Sequence, residues 1–274
     1  EYGTFEPDAS WIAQSDEVNF NSDAGDCKGK ATGPEDGGYN GQDNYPSARD
    51  WAHAKPEVQE MMKAYLKWMK NVIGFDGWRY DYAQGFKGKY IDMYNSASEN
   101  YFSVVEFWEG NPDALWSAIC DANQNTYAFD FGMKFNVMNA GIANFNYGAC
   151  KNPNALIGRG HGKYAVNFID NHDTFERGNG YDFGGDAMSD AVKDRLLQAH
   201  AYILAMPGVP CVFYPYWKKY KNEIAPMVLA RKAVGLHSES AVNDEVVGNG
   251  YRALVTGSKG KLILELGAAV SGSH

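Results

Sequence analysis

The stretch Asp76-Gly77-Trp78-Arg79-Tyr80-Asp81 decides the fold. It reads as a short strand that ends in a carboxylate, with Arg79 two residues earlier on the same strand face. Upstream, Val58, Met61, Met62, Tyr65, Leu66, Met69, Val72 and Ile73 recur at helical spacing. Pro56 suits the first turn of that helix and Gly74 its stop. Downstream, a helix is predicted over 88–98, and the strand Phe102-Ser103-Val104-Val105-Glu106 again ends in a carboxylate. The alternation continues with a helix over 112–122, a strand over 126–131, a helix over 134–143, a strand over 164–169, a helix over 189–206, a strand over 209–214 and a helix over 222–235. Strands alternating with helices of this length predict an α/β fold of about five parallel βα units.

The flanks read differently. Residues 1–54 are rich in Gly, Asp, Asn, Ser and aromatics with little periodicity, which predicts a looped, polar, ion-organised segment. Residues 55–238 hold the βα units. Residues 239–274 carry three short runs over 241–247, 251–256 and 261–266, which predict the start of a small antiparallel domain.

The strand ends carry the chemistry. In a parallel βα barrel the C-terminal strand ends meet on one face, where active sites form. Asp81, Glu106 and the Asp170-Asn171-His172-Asp173-Thr174 stretch all stand at such ends. Paired carboxylates are what glycoside hydrolysis needs: one is the nucleophile and the other protonates the leaving oxygen. A third acid stabilises positive charge developing on the sugar. Arg79 is placed to orient Asp81 by a charge-assisted hydrogen bond. Singly, each acid suits a helix N-cap or a structural ion pair equally well.

Composition narrows the classes. Hydrophobic residues are 45% and charged residues 22% of 274, a globular balance that allows a sizeable core. The net charge is −9 with no basic stripe, so the footprint of a nucleic-acid binder is missing. No apolar run is long enough to span a bilayer, and no charged-then-apolar leader stands at the N-terminus. Cys27, Cys120, Cys150 and Cys211 lie far apart without a CxxC pair, which argues against a metal–thiolate site and leaves one or two disulfides open.

Three segments together resemble the α-amylase family, glycoside hydrolase family 13. Gly74-Phe-Asp-Gly-Trp-Arg-Tyr-Asp81-Tyr-Ala-Gln-Gly85-Phe resembles its nucleophile segment, Val104-Val-Glu106-Phe-Trp108 its acid/base segment, and Phe168-Ile-Asp-Asn-His172-Asp173-Thr its third-acid segment. Tyr2-Gly-Thr-Phe-Glu6 and Gly208-Val-Pro-Cys-Val-Phe-Tyr214 are similar to the plant-type and related bacterial branch.

The resemblance implies a partial TIM-type (β/α)8 barrel. It implies Asp81 as nucleophile, Glu106 as acid/base and Asp173 as transition-state stabiliser. Arg79, His172, Tyr82, Gln84 and Trp108 would be substrate-side residues, with Gln84 standing where the family usually has Lys or Arg. The implied reaction is endo-hydrolysis of α-1,4-glucan with retention. A transglycosylase with the same carboxylates and a non-catalytic starch-binding or assembly fragment are the alternatives. Calcium is the implied ion, held by the side chains of Asn40 and Asp50 and the carbonyls of Asp43 and Gly85. Family barrels have eight strands, and the resemblance begins after the third. Two open edges then leave three outcomes, a fragment, rearranged strands or a partner chain that completes the barrel, and a second copy is the preferred one. The family also points to an extracellular or periplasmic location.

Overall fold

The computed structural model describes residues 2–20, 22–35, 37–38, 49–175, 182–183 and 189–268. The chain divides into two compact units, Glu1–Trp108 with Ser117–Tyr127, and Glu109–Trp116 with Ala128–His274. The elements run α1 (Pro56–Trp68), β1 (Gly77–Tyr80), α2 (Gly88–Ser98), β2 (Phe102–Val105), α3 (Pro112–Asp121), β3 (Tyr127–Phe129), β4 (Ala165–Phe168), α4 (Lys193–Ala205), β5 (Val209–Cys211), α5 (Tyr214–Val234), β6 (Ala241–Val247), β7 (Gly250–Thr256) and β8 (Lys261–Gly267). Strands β1 to β5 are ordered as in the sequence, and β6, β7 and β8 form a second sheet.

In the first unit, Pro56 opens α1 with Glu57 in its first turn and Lys67 in its last, each placed to suit the helix dipole. The helix passes into a wider π turn over Met69–Ile73 and stops at Gly74, whose φ of 93° is a left-handed stop. The apolar stripe read along 58–73 is wider than the face the fold covers: α1 buries Val58 and Leu66, whereas Tyr65, Val72 and Ile73 stay exposed, as does Trp68 outside the stripe. Leu66, Trp78, Tyr90 and Tyr94 form this unit's aromatic core. Strands β1 and β2 are parallel, with Gly77 beside Phe102 and Tyr80 beside Val105. Gly77 is required there, because a Cβ would stand 2.1 Å from the Phe102 carbonyl oxygen.

In the second unit, β4 is buried along its whole length. It pairs in parallel with β3 through Ala165 and Val166 and with β5 through Val166, Asn167 and Phe168. The helix expected over 134–143 is a π turn over Met133–Asn139 followed by a short tight turn over Ile142–Asn144. The helix expected over 222–235 begins earlier, at Tyr214. Pro215 sits in its first turn, Pro226 lies inside it, and Tyr220 carries a non-helical kink. A proline in a first turn costs no hydrogen bond, so Pro215 starts the helix rather than barring it. Strands β6, β7 and β8 form an antiparallel meander. Its inner residues Tyr251, Ala253, Val255, Leu264 and Leu266 join Leu196, Tyr202 and Ile203 of α4 in one core. The four cysteines are free thiols.

Two buried histidines give the fold an acid limit. His53, enclosed by Phe86, Tyr90 and Tyr94, shares a 2.7 Å hydrogen bond with the Tyr94 hydroxyl. His200 donates from Nδ1 to the Leu196 carbonyl at 2.8 Å, and its Nε2 has no partner. Burial lowers both to about 4. Below pH 6.5 the unfolded chain takes up protons that the folded chain refuses, so stability is lost as pH falls from 6.5 to 4, by roughly 3 kcal/mol per histidine. Asp130 opposes this over part of the window, since burial raises it to about 6 and stability then falls as pH rises through 4 to 6. Two histidines outweigh one carboxyl. Denaturant unfolding at pH 7, 5.5 and 4.5 should show falling stability, with a shallower fall in His200→Gln; a flat profile, or a slope that His200→Gln leaves unchanged, contradicts this.

Candidate active site

The first unit holds two of the strand-end acids. Because β1 and β2 pair in register, the residues after Tyr80 and Val105, Asp81 and Glu106, stand side by side. The ladder continues past the strands: Glu106 donates its N–H to the Tyr80 carbonyl at 2.9 Å, and Ala83 donates to the Glu106 carbonyl at 2.9 Å. Arg79 reaches both acids at once. One guanidinium nitrogen lies 2.6 Å from Asp81 Oδ1 and the other 2.7 Å from Glu106 Oε1. The Asp81 side chain is 74% exposed and that of Glu106 only 5%. One carboxylate is therefore open to an incoming ligand, and the other is enclosed and held.

Glu106 is also held from the chain that follows Asp81. Its Oε2 accepts the Tyr82 N–H at 3.1 Å. Tyr82 sits in the left-handed region at φ 44°, unusual for a bulky residue and a mark of a backbone forced by its surroundings. Gln84 does not reach outward: its Oε1 accepts the Trp108 N–H at 2.8 Å, tying the segment after β1 to the segment after β2. Tyr82 and Trp108 are half-buried, as is Asp50, whereas Gly85 is buried. Asn40 and Asp43 lie outside the described residues.

The second unit holds the other strand-end acids. Asp170 is buried and forms an ion pair with Lys134 at 2.6 Å, both side chains fully enclosed. Tyr216 donates to its Oδ2 at 2.5 Å and Thr174 to its Oδ1 at 2.8 Å. Burial pulls the Lys134 ammonium down against the opposing pull of Asp170. Burial, with the Asp170 charge beside it, pushes the Tyr216 phenol up. Above this network the Asn171 side chain accepts the N–H groups of Asp173 and Thr174 at 2.9 and 2.8 Å. His172 and Asp173 project from that turn, with Nε2 and Oδ2 3.2 Å apart.

Several of these parts escape a reading of the sequence. Lys134 sits in Met133-Lys-Phe-Asn-Val-Met138, where nothing marks a buried cation. Asp130, at the end of β3, is a further strand-end carboxylate, but it is fully buried and accepts the Met133 and Leu156 N–H groups at 2.9 and 2.8 Å, a structural cap. Asp16, fully buried, pairs with Arg49 and accepts the Asp50 N–H at 2.6 Å. Among the described residues, no group of three or more His, Cys, Asp or Glu converges as a metal site.

No protein-family model matches the chain. Over 233 residues it is 31% identical to the chloroplastic α-amylase 3 of Arabidopsis thaliana, covering 78% of this chain and 25% of that protein. It is 29% identical over 230 residues to a glucan 1,4-α-maltotetraohydrolase of Stutzerimonas stutzeri, covering 77% of this chain and 40% of that enzyme. The structure of an Anoxybacillus α-amylase superposes with a TM-score of 0.60 at 17% identity, over 78% of this chain and 52% of that one. The relatives that the chain is similar to are plant and bacterial α-amylases and glucan hydrolases. At such an identity the structural likeness speaks for the fold alone: five parallel strands and a small antiparallel sheet, a partial α-amylase barrel with part of a C-terminal β domain. The chain spans 25% of the length of the Arabidopsis relative and 40% of the Stutzerimonas relative.

Within this α-amylase relative the two partners of Arg79 differ in what they contribute. Removing Arg79 leaves a buried carboxyl without its cation, which costs about 3–5 kcal/mol. Asp81 is exposed, and its ion pair contributes less than about 1 kcal/mol. Urea unfolding of Arg79→Met and Asp81→Asn should reproduce that ordering; equal losses would show that Glu106 does not depend on Arg79.

Proposed function

We propose that this chain hydrolyses internal α-1,4-glucosidic bonds of starch-like glucans with retention of configuration. The observation that carries the reading is the pair of neighbouring carboxyls, Asp81 and Glu106, bridged by one guanidinium. A retaining glycosidase needs two carboxyls close together, one to attack the anomeric carbon and one to protonate the leaving oxygen. Asp81, open to solvent, takes the nucleophile role. Glu106, enclosed and fixed by Arg79 and the Tyr82 N–H, takes the acid/base role. Asp173, in the second unit, takes the role of the third acid, which stabilises charge on the sugar. His172 beside it would hydrogen-bond a sugar hydroxyl, and in the first unit Tyr82 and Trp108 would offer ring faces for a sugar to stack on. Gln84 shapes this region through the Trp108 backbone. The relatives are named as hydrolases of α-glucan, which favours hydrolysis over transfer and over a binding fragment without turnover.

Calcium is part of the proposal. Of the four expected ligands, Asp50 and Gly85 are described, and both offer the hard oxygen this ion prefers. The space beside the Gly85 carbonyl is kept clear by Gly38, whose missing Cβ would stand 2.6 Å from that oxygen. Bound there with Asn40 and Asp43, calcium would supply a structural clasp rather than a chemical step. The segment 1–54 would be the part it organises. The proposal extends to action outside the cytoplasm, the location that the family resemblance implies. Among the described residues no helix is long and apolar enough to cross a membrane.

The test is release of reducing ends from soluble starch by the purified chain with calcium, beside the chelated protein and Asp81→Asn. The parent should be active, the variant should lose at least about a thousandfold in kcat, and chelation should lower the melting temperature reversibly. A parent that is folded and inactive sinks the reading.

We further propose that a second copy covers the open edge of β1, which among the described strands is paired on one side only and is preceded by the exposed Tyr65, Trp68, Val72, Ile73 and Phe75. Light scattering should then give a dimer mass, and a strictly monodisperse monomer rules it out.

A further inference from the structure

The second unit contains a buried charge network that the proposed chemistry does not itself use. Asp170 is followed by the turn that carries His172 and Asp173, and its carboxylate gathers three donors from three places in the chain. Lys134 comes from the π turn after β3, Tyr216 from the first turn of α5, and Thr174 from the turn itself. Lys134 is held in place by a second bond, donating to Asn139 Oδ1 at 2.9 Å. Tyr216 is packed edge-on against Phe175 and His200, at centroid distances of 5.7 and 5.6 Å, which fixes its ring plane.

The bonds connect in series to the candidate acid. The Thr174 hydroxyl gives its proton to Asp170 and accepts the Asn171 N–H at 3.0 Å. The Asn171 side-chain oxygen accepts the N–H of Asp173 at 2.9 Å. A chain of hydrogen bonds therefore runs from two enclosed donors, through one carboxylate and one hydroxyl, to the backbone of Asp173. A buried ion pair is weak evidence of stability, since well-packed apolar residues often serve as well. What a fully satisfied polar network does supply is a single geometry.

We infer that Lys134, Tyr216 and Thr174 are positioning residues that hold the 171–174 turn, and with it His172 and Asp173, in one arrangement. The functional half of this inference rests on the reading of Asp173 as the third acid, and the structural half does not. None of the three donors touches substrate in this account. Their effect on catalysis is passed through Asp170 and the turn. The expected signature is a lower kcat with little change in KM, because a displaced third acid weakens the transition state more than substrate binding.

The experiment uses the whole chain and three variants: Tyr216→Phe, Thr174→Val and Thr174→Ser. Amide hydrogen exchange read by NMR at Asn171, Asp173 and Thr174 reports the turn whether or not the protein turns over starch. In Tyr216→Phe and Thr174→Val these three amides should exchange about tenfold faster, the size expected for one lost hydrogen bond to a charged group. The amides of β4 should be unchanged. Thr174→Ser keeps the hydroxyl and should restore parent exchange. On starch, kcat should fall about tenfold in the first two variants and return in the third. Parent-like exchange in both Tyr216→Phe and Thr174→Val overturns the inference, and so does acceleration that spreads equally through β4. If the parent shows protected turn amides but no starch hydrolysis, the functional reading fails while the exchange results still decide the positioning role.

Discussion

The constraint on which the candidate site depends is the register of two short parallel strands. Trp78 lies beside Ser103 and Arg79 beside Val104, so the residues that follow each strand, Asp81 and Glu106, are neighbours without any loop having to bring them together. Gly77 makes the register attainable, because its α-carbon passes where any side chain would strike the Phe102 carbonyl. Once the strands are in place, Arg79 answers both acids from the same strand face. Its planar fork suits this task, since two separate nitrogens can each meet a carboxylate oxygen. The enclosed position of Glu106 then follows from three attachments: the guanidinium, the Tyr82 N–H and the continued strand ladder.

The second unit solves the same problem with different materials. Its strand β4 is buried on all sides and cannot carry an exposed cation beside the acid. Instead Asp170 is sunk into the core with Lys134 as its counter-ion and Tyr216 as a further donor. The more exposed His172 and Asp173 then project from a turn in which the N–H groups of Asn171, Asp173 and Thr174 are all bonded. Each unit thus couples one enclosed carboxyl to one more exposed one. Enclosed groups hold geometry well because the low local dielectric makes every bond to them stronger and every missing bond costly.

Much of this was legible in the sequence, for physical reasons that differ by element. The helix α2 and the strand β6 were read with the bounds the structure shows, because glycine and polar punctuation bracket a clear period. The strand-end acids were legible because each apolar run gives way to a carboxylate, at Asp81, Glu106 and Asp170. The start of α5 lies earlier than the helix over 222–235 that the sequence predicts, and Pro215 fits there because a proline in a first turn costs no hydrogen bond. The stripe over 58–73 is wider than the buried face: Tyr65, Val72 and Ile73 follow the helical period and yet remain exposed. Lys134 and Asp16 were not legible at all. Burial of a charge is decided by what surrounds it in space, and neither residue has a neighbour in sequence that announces its partner.

The central claim is that Asp81 and Glu106 form a retaining pair. The most direct measurement is the anomeric configuration of the first products from a short maltooligosaccharide, followed by proton NMR before mutarotation sets in. Retention through a covalent intermediate on Asp81 predicts products that appear first as the α-anomer and drift to the equilibrium mixture. Products that appear first as the β-anomer would mean a single displacement by water, and Asp81 could not then be the nucleophile.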